Sequence, residues 1–242
     1  MKKLIVLCSF SLASQSLLGS QQLSNKTKIV SHDPAIDVDL YRSLIKFCKH
    51  NQINELKEIL KKGVNPDLIR TSDYGLPLIT CVIKHKQYEV LSTLLEDGRA
   101  NPDIPDINGD TAVNYALVAG DQKALDLLLR AKANVNVQNN KGVTALMVAV
   151  AANNLEGVIK LLHAKANMNL QNKWKKTALM IAVHEDHYNF VSMLLKAHAN
   201  PEIVDEDGND ALDFALANEN EDIWKMLQQA ILPELSDSEE DI

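Results

Sequence analysis

The chain has 242 residues, a formal net charge of −7 and 46% hydrophobic residues, and only 5% of its residues are aromatic. An acidic chain of this kind is repelled by nucleic acid and by anionic lipid, so neither is expected as a partner. Length alone allows one long domain or two ordinary domains.

The first 20 residues have the order of a secretory signal peptide. Lys2 and Lys3 precede an apolar run from Leu4 to about Ala13, which is followed by Ser and Gly. Serines interrupt the run, whereas a membrane-spanning helix needs about 20 apolar residues. We therefore expect an exported protein, periplasmic or secreted, whose mature chain has no membrane insertion. The alternative is a frayed apolar N-terminus.

A repeat of 33 residues organises the chain from about residue 39 to residue 232. Thr111, Thr144, Thr177 and Asp210 stand 33 residues apart, each before an apolar run, at positions where a side-chain oxygen can cap a helix. Self-similarity at this period predicts a solenoid, in which each unit buries its apolar face against its neighbours.

The second half of each unit carries the apolar stripe of an amphipathic helix, as in Val158, Leu161 and Leu162. Small residues also recur one turn into the first helix of successive units, which would let neighbouring helices approach closely. These positions are Ala116, Ala149, Ala182 and Ala215.

The stretch from Lys141 to Asn172 resembles the ankyrin repeat, whose pattern is G-x-T-P-L-H-x-A-A, a helix ending in L-L, and then x-x-G-A-x-x-N. The matching residues are Gly142, Thr144, Ala145, Leu146, Met147, Ala149, Val150, Leu161, Leu162, Ala166 and Asn169. The resemblance implies an all-α ankyrin-repeat solenoid of about six helix-turn-helix repeats with short β-hairpin tips. It also implies a monomeric, non-enzymatic module that binds a protein partner and needs no cofactor.

The repeats are predicted at about 39–71, 72–105, 106–138, 139–171, 172–204 and 205–232, within one domain. Leu44, Phe47 and Cys48 replace small residues in the first repeat, and Gln228 replaces a leucine in the last, so these two repeats are predicted to be caps. The second repeat has one extra residue, placed near Arg99. Residues 21–38 are predicted to be a flexible lead-in and residues 233–242 an acidic disordered tail.

Two departures from the family pattern have structural consequences. The histidine of T-P-L-H is replaced by Asn114, Met147, Met180 and Asp213, so the hydrogen bonding of that histidine is expected to be absent. Lys175 stands where other repeats have glycine, which relieves strain at positive φ. The fifth hairpin is therefore predicted to be strained or differently shaped.

No nucleophile motif, phosphate loop or paired-cysteine metal site is present. His184 and His187 could share a helix face and bind a metal, but they fall on a polar helix end where charged residues are expected anyway. A metal-binding or enzymatic protein using these histidines is one alternative function, and a structural spacer of the cell envelope is another. Cys48 and Cys81 could pair if oxidised, although their apolar neighbours favour buried free thiols.

Partners of the ankyrin family usually lie against a concave face of hairpin tips and first-helix ends. By this resemblance, the contact residues are Tyr74, Leu76, Lys84, His85, Ile107, Asn108, Asp110, Asn140, Lys141, Lys173, Trp174, Lys176, His184 and Glu185. Trp174 lies among lysines and is predicted to be the main anchor, for a partner with an acidic, apolar segment. The alternative is that Trp174 packs flat on the neighbouring hairpin.

Overall fold

The computed structural model describes residues 38–70, 75–96 and 100–232. All α-helices in these ranges are short: α1 (Val38–Lys49), α2 (Ile53–Lys61), α3 (Leu78–Lys84), α4 (Tyr88–Glu96), α5 (Ala112–Val118), α6 (Gln122–Arg130), α7 (Ala145–Ala151), α8 (Leu155–His163), α9 (Ala178–His184), α10 (Tyr188–Lys196), α11 (Ala211–Ala217) and α12 (Glu221–Ile231). The all-α prediction is confirmed. The predicted signal peptide, lead-in and acidic tail, and also Tyr74, lie outside the described residues. No described helix has the length and apolar character needed to cross a membrane.

The helices lie in antiparallel pairs, which is consistent with six repeats. Contacts divide the chain into two units between Ala100 and Asn101, whereas the sequence predicts one domain. The first unit contains α1 to α4 and the second contains α5 to α12. The division falls at the loop in which the sequence places the extra residue of the second repeat.

Side-chain caps begin most of the first helices of the second unit. Thr144 and Thr177 each accept a hydrogen bond from the backbone N–H three residues on, at 3.3 Å, and Asp210 accepts one at 3.0 Å. Thr111 does not act as a cap, contrary to prediction. Its hydroxyl donates instead to Oδ1 of Asn114, at 3.1 Å, because this neighbour offers a competing acceptor.

The core of the second unit follows the predicted stripes. Leu128, Leu161 and Leu194, on the second helices, are each 0% exposed. The small residue of each first helix is also buried, so neighbouring pairs pack backbone against backbone where a larger side chain would separate them.

Cys48 and Cys81 are buried free thiols in the first unit, as their apolar neighbours predict. Burial raises the pKa of Cys48 to about 12, and the nearby Cys81 raises it further. Because the thiolate is the reactive form, Cys48 is unreactive while the first unit is folded.

Candidate functional site

One buried or half-buried side chain at the base of each hairpin fixes the hairpin backbone of the second unit. Oδ1 of Asp106 accepts from the N–H groups of Asn108 and Asp110, at 2.8 and 2.9 Å. Asn139, Asn172 and Asp205 repeat this pair of bonds at steps of 33 residues. Backbone donors that would be unpaired in an isolated turn are therefore satisfied without using any side chain of the tip.

The hairpins are joined to one another by one backbone hydrogen bond at each step. Asn140 N–H donates to the carbonyl of Asn108 and Lys173 N–H to that of Lys141, both at 2.9 Å. The corresponding bond from Glu206 to the carbonyl of Trp174 is longer, at 3.2 Å. The tips consequently form one continuous edge on the second unit.

Lys175 gives its hairpin the same shape as the others, at the cost of a left-handed backbone. Its φ is +55°, and its N–H donates to the carbonyl of Asn172 at 2.8 Å, as Gly142 does to Asn139. A Cβ atom at Gly142 would lie 2.9 Å from Cα of Asn172 in the next hairpin. Lys175 carries such a Cβ, and the bond beyond it is the longer one. The hairpin is therefore not differently shaped, and strain at Lys175 stays a prediction.

The tip side chains differ in how much they are exposed. Ile107 is 62% exposed, and Trp174 is half-buried. The other exposed members of the predicted set in this unit are Asn108, Asn140, Lys141 and Lys173 on the hairpin edge and Glu185 at the end of α9. These residues are accessible to a second molecule.

Part of the predicted contact set is engaged within the protein. Oδ1 of Asp110 accepts from the side-chain amides of Asn114 and Asn139, at 3.1 and 2.8 Å. Burial raises the pKa of Asp110 despite these bonds, and the charge of Asp106 raises it further. Asn140 donates its side-chain amide to the carbonyl of Ile107, at 2.9 Å. These groups hold the third and fourth hairpins together.

Other side chains make hydrogen bonds at positions where the family pattern has the T-P-L-H histidine. Asn114 bonds both Thr111 and Asp110. Asp213 accepts from the N–H of Asp210 at 3.0 Å, and the sulfur of Met180 accepts from that of Thr177 at 3.4 Å. Different side chains thus supply hydrogen bonds at the same helix starts.

Positive charge surrounds Trp174. Lys173 and Lys175 are exposed, whereas Lys176 is held with its Nζ 4.6 Å from the centre of the Phe214 ring and 3.9 Å from Oδ2 of Asp205. Trp174 itself uses its backbone in the hairpin and keeps part of its indole exposed. An aromatic side chain therefore lies beside two exposed ammonium groups.

The first unit, considered by itself, contains Leu76, Lys84 and His85. Leu76 is only 4% exposed, so its side chain belongs to the core of that unit and is not accessible to a partner. Lys84 and His85 are exposed at the end of α3.

His184 and His187 contact different aromatic rings. His184 lies edge-on to Phe214, with ring centres 6.1 Å apart, and His187 lies edge-on to Phe190 at 5.2 Å. Within the described ranges, no group of three or more His, Cys, Asp or Glu side chains could hold a metal ion.

Comparison with known proteins identifies the architecture. The family model for ankyrin repeats (three copies) matches residues 85–172 and 146–237. The chain belongs to the ankyrin repeat family. A crystal structure of an ankyrin repeat domain from Acinetobacter baumannii is 28% identical, with a TM-score of 0.69, and the match covers 78% of this chain and 97% of that one. No curated protein sequence matches the chain.

Ankyrin repeats are generally protein–protein interaction modules, and proteins of this family are typically non-enzymatic. The hairpin-base residues Asp106, Asn139, Asn172 and Asp205 are the ankyrin elements that sequence reasoning missed. Their 33-residue spacing was visible in the chain.

Proposed function

We propose that the hairpin edge of the second unit binds a protein partner, with Trp174 as the main anchor. The partner would present an acidic, apolar segment to Trp174 and its neighbouring lysines. The proposal covers the edge from Ile107 to Trp174 together with the adjoining first-helix end at His184 and Glu185.

The half-exposed indole of Trp174 on an independently fixed hairpin carries this proposal. The backbone N–H of Trp174 donates to Oδ1 of Asn172 at 3.0 Å, and its backbone carbonyl accepts from the N–H of Glu206 at 3.2 Å. Neither bond involves the indole, so the hairpin keeps its conformation whatever side chain stands there. An aromatic group held rigidly at low entropic cost is the usual form of an interface hot spot.

Trp174→Ala should lose binding and keep stability. Truncating a hot-spot aromatic typically costs at least about 2 kcal/mol, or roughly thirtyfold in affinity. Trp174 is half-buried and its hairpin bonds use only its backbone, so the free energy of unfolding should fall by no more than about 1 kcal/mol. Binding is measured by retention of source-organism proteins on immobilised parent and variant, and stability by thermal melting.

Tyr188→Ala is the matched control, since Tyr188 is a 50% exposed aromatic of the same repeat that lies on α10, away from the tips. A protein retained by the parent and by Tyr188→Ala, but not by Trp174→Ala, supports the proposal. Equal retention by all three would contradict it, and early melting of Trp174→Ala would make Trp174 a packing residue.

We also propose that the protein is exported, on the strength of the basic, apolar and small-residue order of residues 1–20. Mass spectrometry of the protein recovered from its native host should then find a start between Ser14 and Gln21. An intact Met1 or Lys2 start on the bulk of the protein would contradict export by this route.

A further inference from the structure

Among the described residues, none covers the face of the sixth repeat that corresponds to the face on which each earlier repeat of the second unit packs its successor. Val113, Leu146 and Leu179 are at most 1% exposed, whereas Leu212, at the equivalent position, is half-buried. The difference in exposure is larger one helical turn further along the chain. Leu117, Val150 and Val183 are at most 1% exposed, and their equivalent Leu216 is 68% exposed.

The same change occurs on the second helix. Leu125, Val158 and Val191 are at most 1% exposed, and Trp224, their equivalent, is half-buried. Leu212, Leu216 and Trp224 form what we call the open face. Terminal repeats normally carry polar residues there. Gln228, on which the prediction of a C-terminal cap rests, takes a place whose equivalents Leu129, Leu162 and Leu195 are also half-buried, so it does not make the open face polar.

Contacts between inner repeats show which part of a neighbouring repeat would pack on the open face. Gly157 lies so close to Leu117 of the preceding repeat that a Cβ atom there would be 2.6 Å from Cδ2 of Leu117. A leucine at this position therefore packs against the second helix of the next repeat. Leu216 has no described residue in that role.

The first repeat carries an open groove on the opposite side of its helix pair. By alignment of α1 and α2 with α7 and α8, Ser43, Phe47 and Glu55 occupy the places of Ala145, Ala149 and Gly157, which face the preceding repeat. These three residues line a groove of about 650 Å³ together with Lys57, Lys61, Lys62 and Glu58, of which Lys61 and Glu58 form an ion pair at 2.8 Å. Phe47 and Ile59 give the groove apolar surface, and its three lysines outnumber its two glutamates.

The two chain segments that carry these faces have opposite net charge. Residues 205–232 contain eight carboxylates and one lysine, whereas residues 43–63 contain five lysines and two glutamates. Residues 233–242 add five more carboxylates, so that segment is repelled from the open face and is a poor cover for it. A basic, partly apolar helix pair is the complementary occupant.

We propose that the open face binds the first helix pair of a second copy of this chain, with Leu216 in the groove between α1 and α2. The contact continues the repeat-on-repeat packing from one molecule to the next. It is heterologous, so it adds copies head to tail. Phe47 and Glu55 are larger than Ala149 and Gly157, so the copies approach less closely than neighbouring repeats do and the association is weak. This differs from the monomer that the sequence suggests.

Sedimentation velocity of the full chain tests the proposal. The weight-average mass should rise with concentration between about 10 and 500 μM, and the rise should shrink between about 50 and 500 mM salt because exposed charges are screened. Leu216→Lys should raise the dissociation constant at least about tenfold, and so should Lys57→Glu combined with Lys62→Glu. All three positions are exposed, so circular dichroism and melting should be unchanged.

Mixing the two variants distinguishes head-to-tail contact from any symmetric dimer. Leu216→Lys keeps an intact groove, and the double lysine variant keeps an intact open face, so each is monomeric alone and the mixture forms a 1:1 dimer that cannot extend. The proposal is overturned by a parent that stays monomeric throughout, by a Leu216→Lys variant that associates as the parent does, or by association that appears only after residues 233–242 are deleted.

Discussion

Strain at single residues sets how regularly the hairpins stack. Gly109, Gly142 and Gly208 have φ between +72° and +83°, and Lys175 reaches +55° with a full side chain. An L-residue other than glycine is disfavoured in this region because its Cβ crowds the following carbonyl. The longer bond from Glu206 to Trp174 lies next to this strained residue.

Lys175→Gly should raise the free energy of unfolding by about 0.5–1 kcal/mol. Relief of the left-handed conformation gains about 1–2 kcal/mol, and the greater entropy of glycine in the unfolded chain offsets about 0.5–1 kcal/mol of it. Urea denaturation measures the difference. Two reverse changes serve as controls. Gly208→Ala has open space and should cost only the φ strain, whereas Gly142→Ala also meets the next hairpin and should cost more. Equal stability of Lys175→Gly and parent would show that the strain is negligible.

At the scale of the helix, the N-terminus of α10 lacks the cap that its equivalents have. Asp121, Asn154 and Asn220 accept from the first turn of α6, α8 and α12 at 2.9–3.1 Å. His187 takes this position in α10, makes no such bond, and has a buried Nδ1 for which no described residue is a hydrogen-bond partner. Its ring packs on Phe190 instead.

Asparagine at position 187 should be more stabilising than alanine by about 1 kcal/mol, because both changes remove the ring contact with Phe190 and only asparagine supplies a cap. The free energies of unfolding of His187→Asn and His187→Ala give the comparison. Asn154→Ala provides the reference for losing an existing cap. If the two variants at position 187 unfold alike, the helix start there is satisfied in another way.

Helix positions and most caps could be predicted because the same residue types recur every 33 residues. The missing cap at Thr111 could not be predicted. The side-chain amide of Asn114 donates to Asp110, which leaves Oδ1 of Asn114 to accept from the Thr111 hydroxyl. The exposure of Leu216 could not be predicted either. The equivalent residues of earlier repeats are buried, and only the structure shows that no described residue covers Leu216. For the candidate site, the sequence predicted the exposed tips but not the burial of Leu76.

For the molecule as a whole, the two units contain different residues whose signals report on unfolding. Cys48 and Cys81 lie in the first unit, and Trp174 and Trp224 lie in the second. In repeat proteins, stability is roughly a sum of repeat terms and nearest-neighbour interface terms, so a unit with fewer helix pairs is expected to be less stable.

Thiol labelling should therefore reach its midpoint at a lower urea concentration than the change in tryptophan fluorescence. A Cys8→Ser variant restricts labelling to the two buried thiols, which react only when the first unit opens. Sub-global opening of this kind is usual where buried contacts are fewest. Coincident midpoints would show that the two units unfold together.

The hairpin-base residues have a consequence for how this protein can diverge. Each of Asp106, Asn139, Asn172 and Asp205 fixes its hairpin through backbone N–H groups, so most tip side chains, Asp110 and Asn140 excepted, are not needed to hold it. Substitutions at most tip positions should therefore change stability little while they change which partners the edge can bind. Descendants of this chain could acquire new partners by single substitutions at the tips, whereas a change at any of the four bases would be removed by selection for folding.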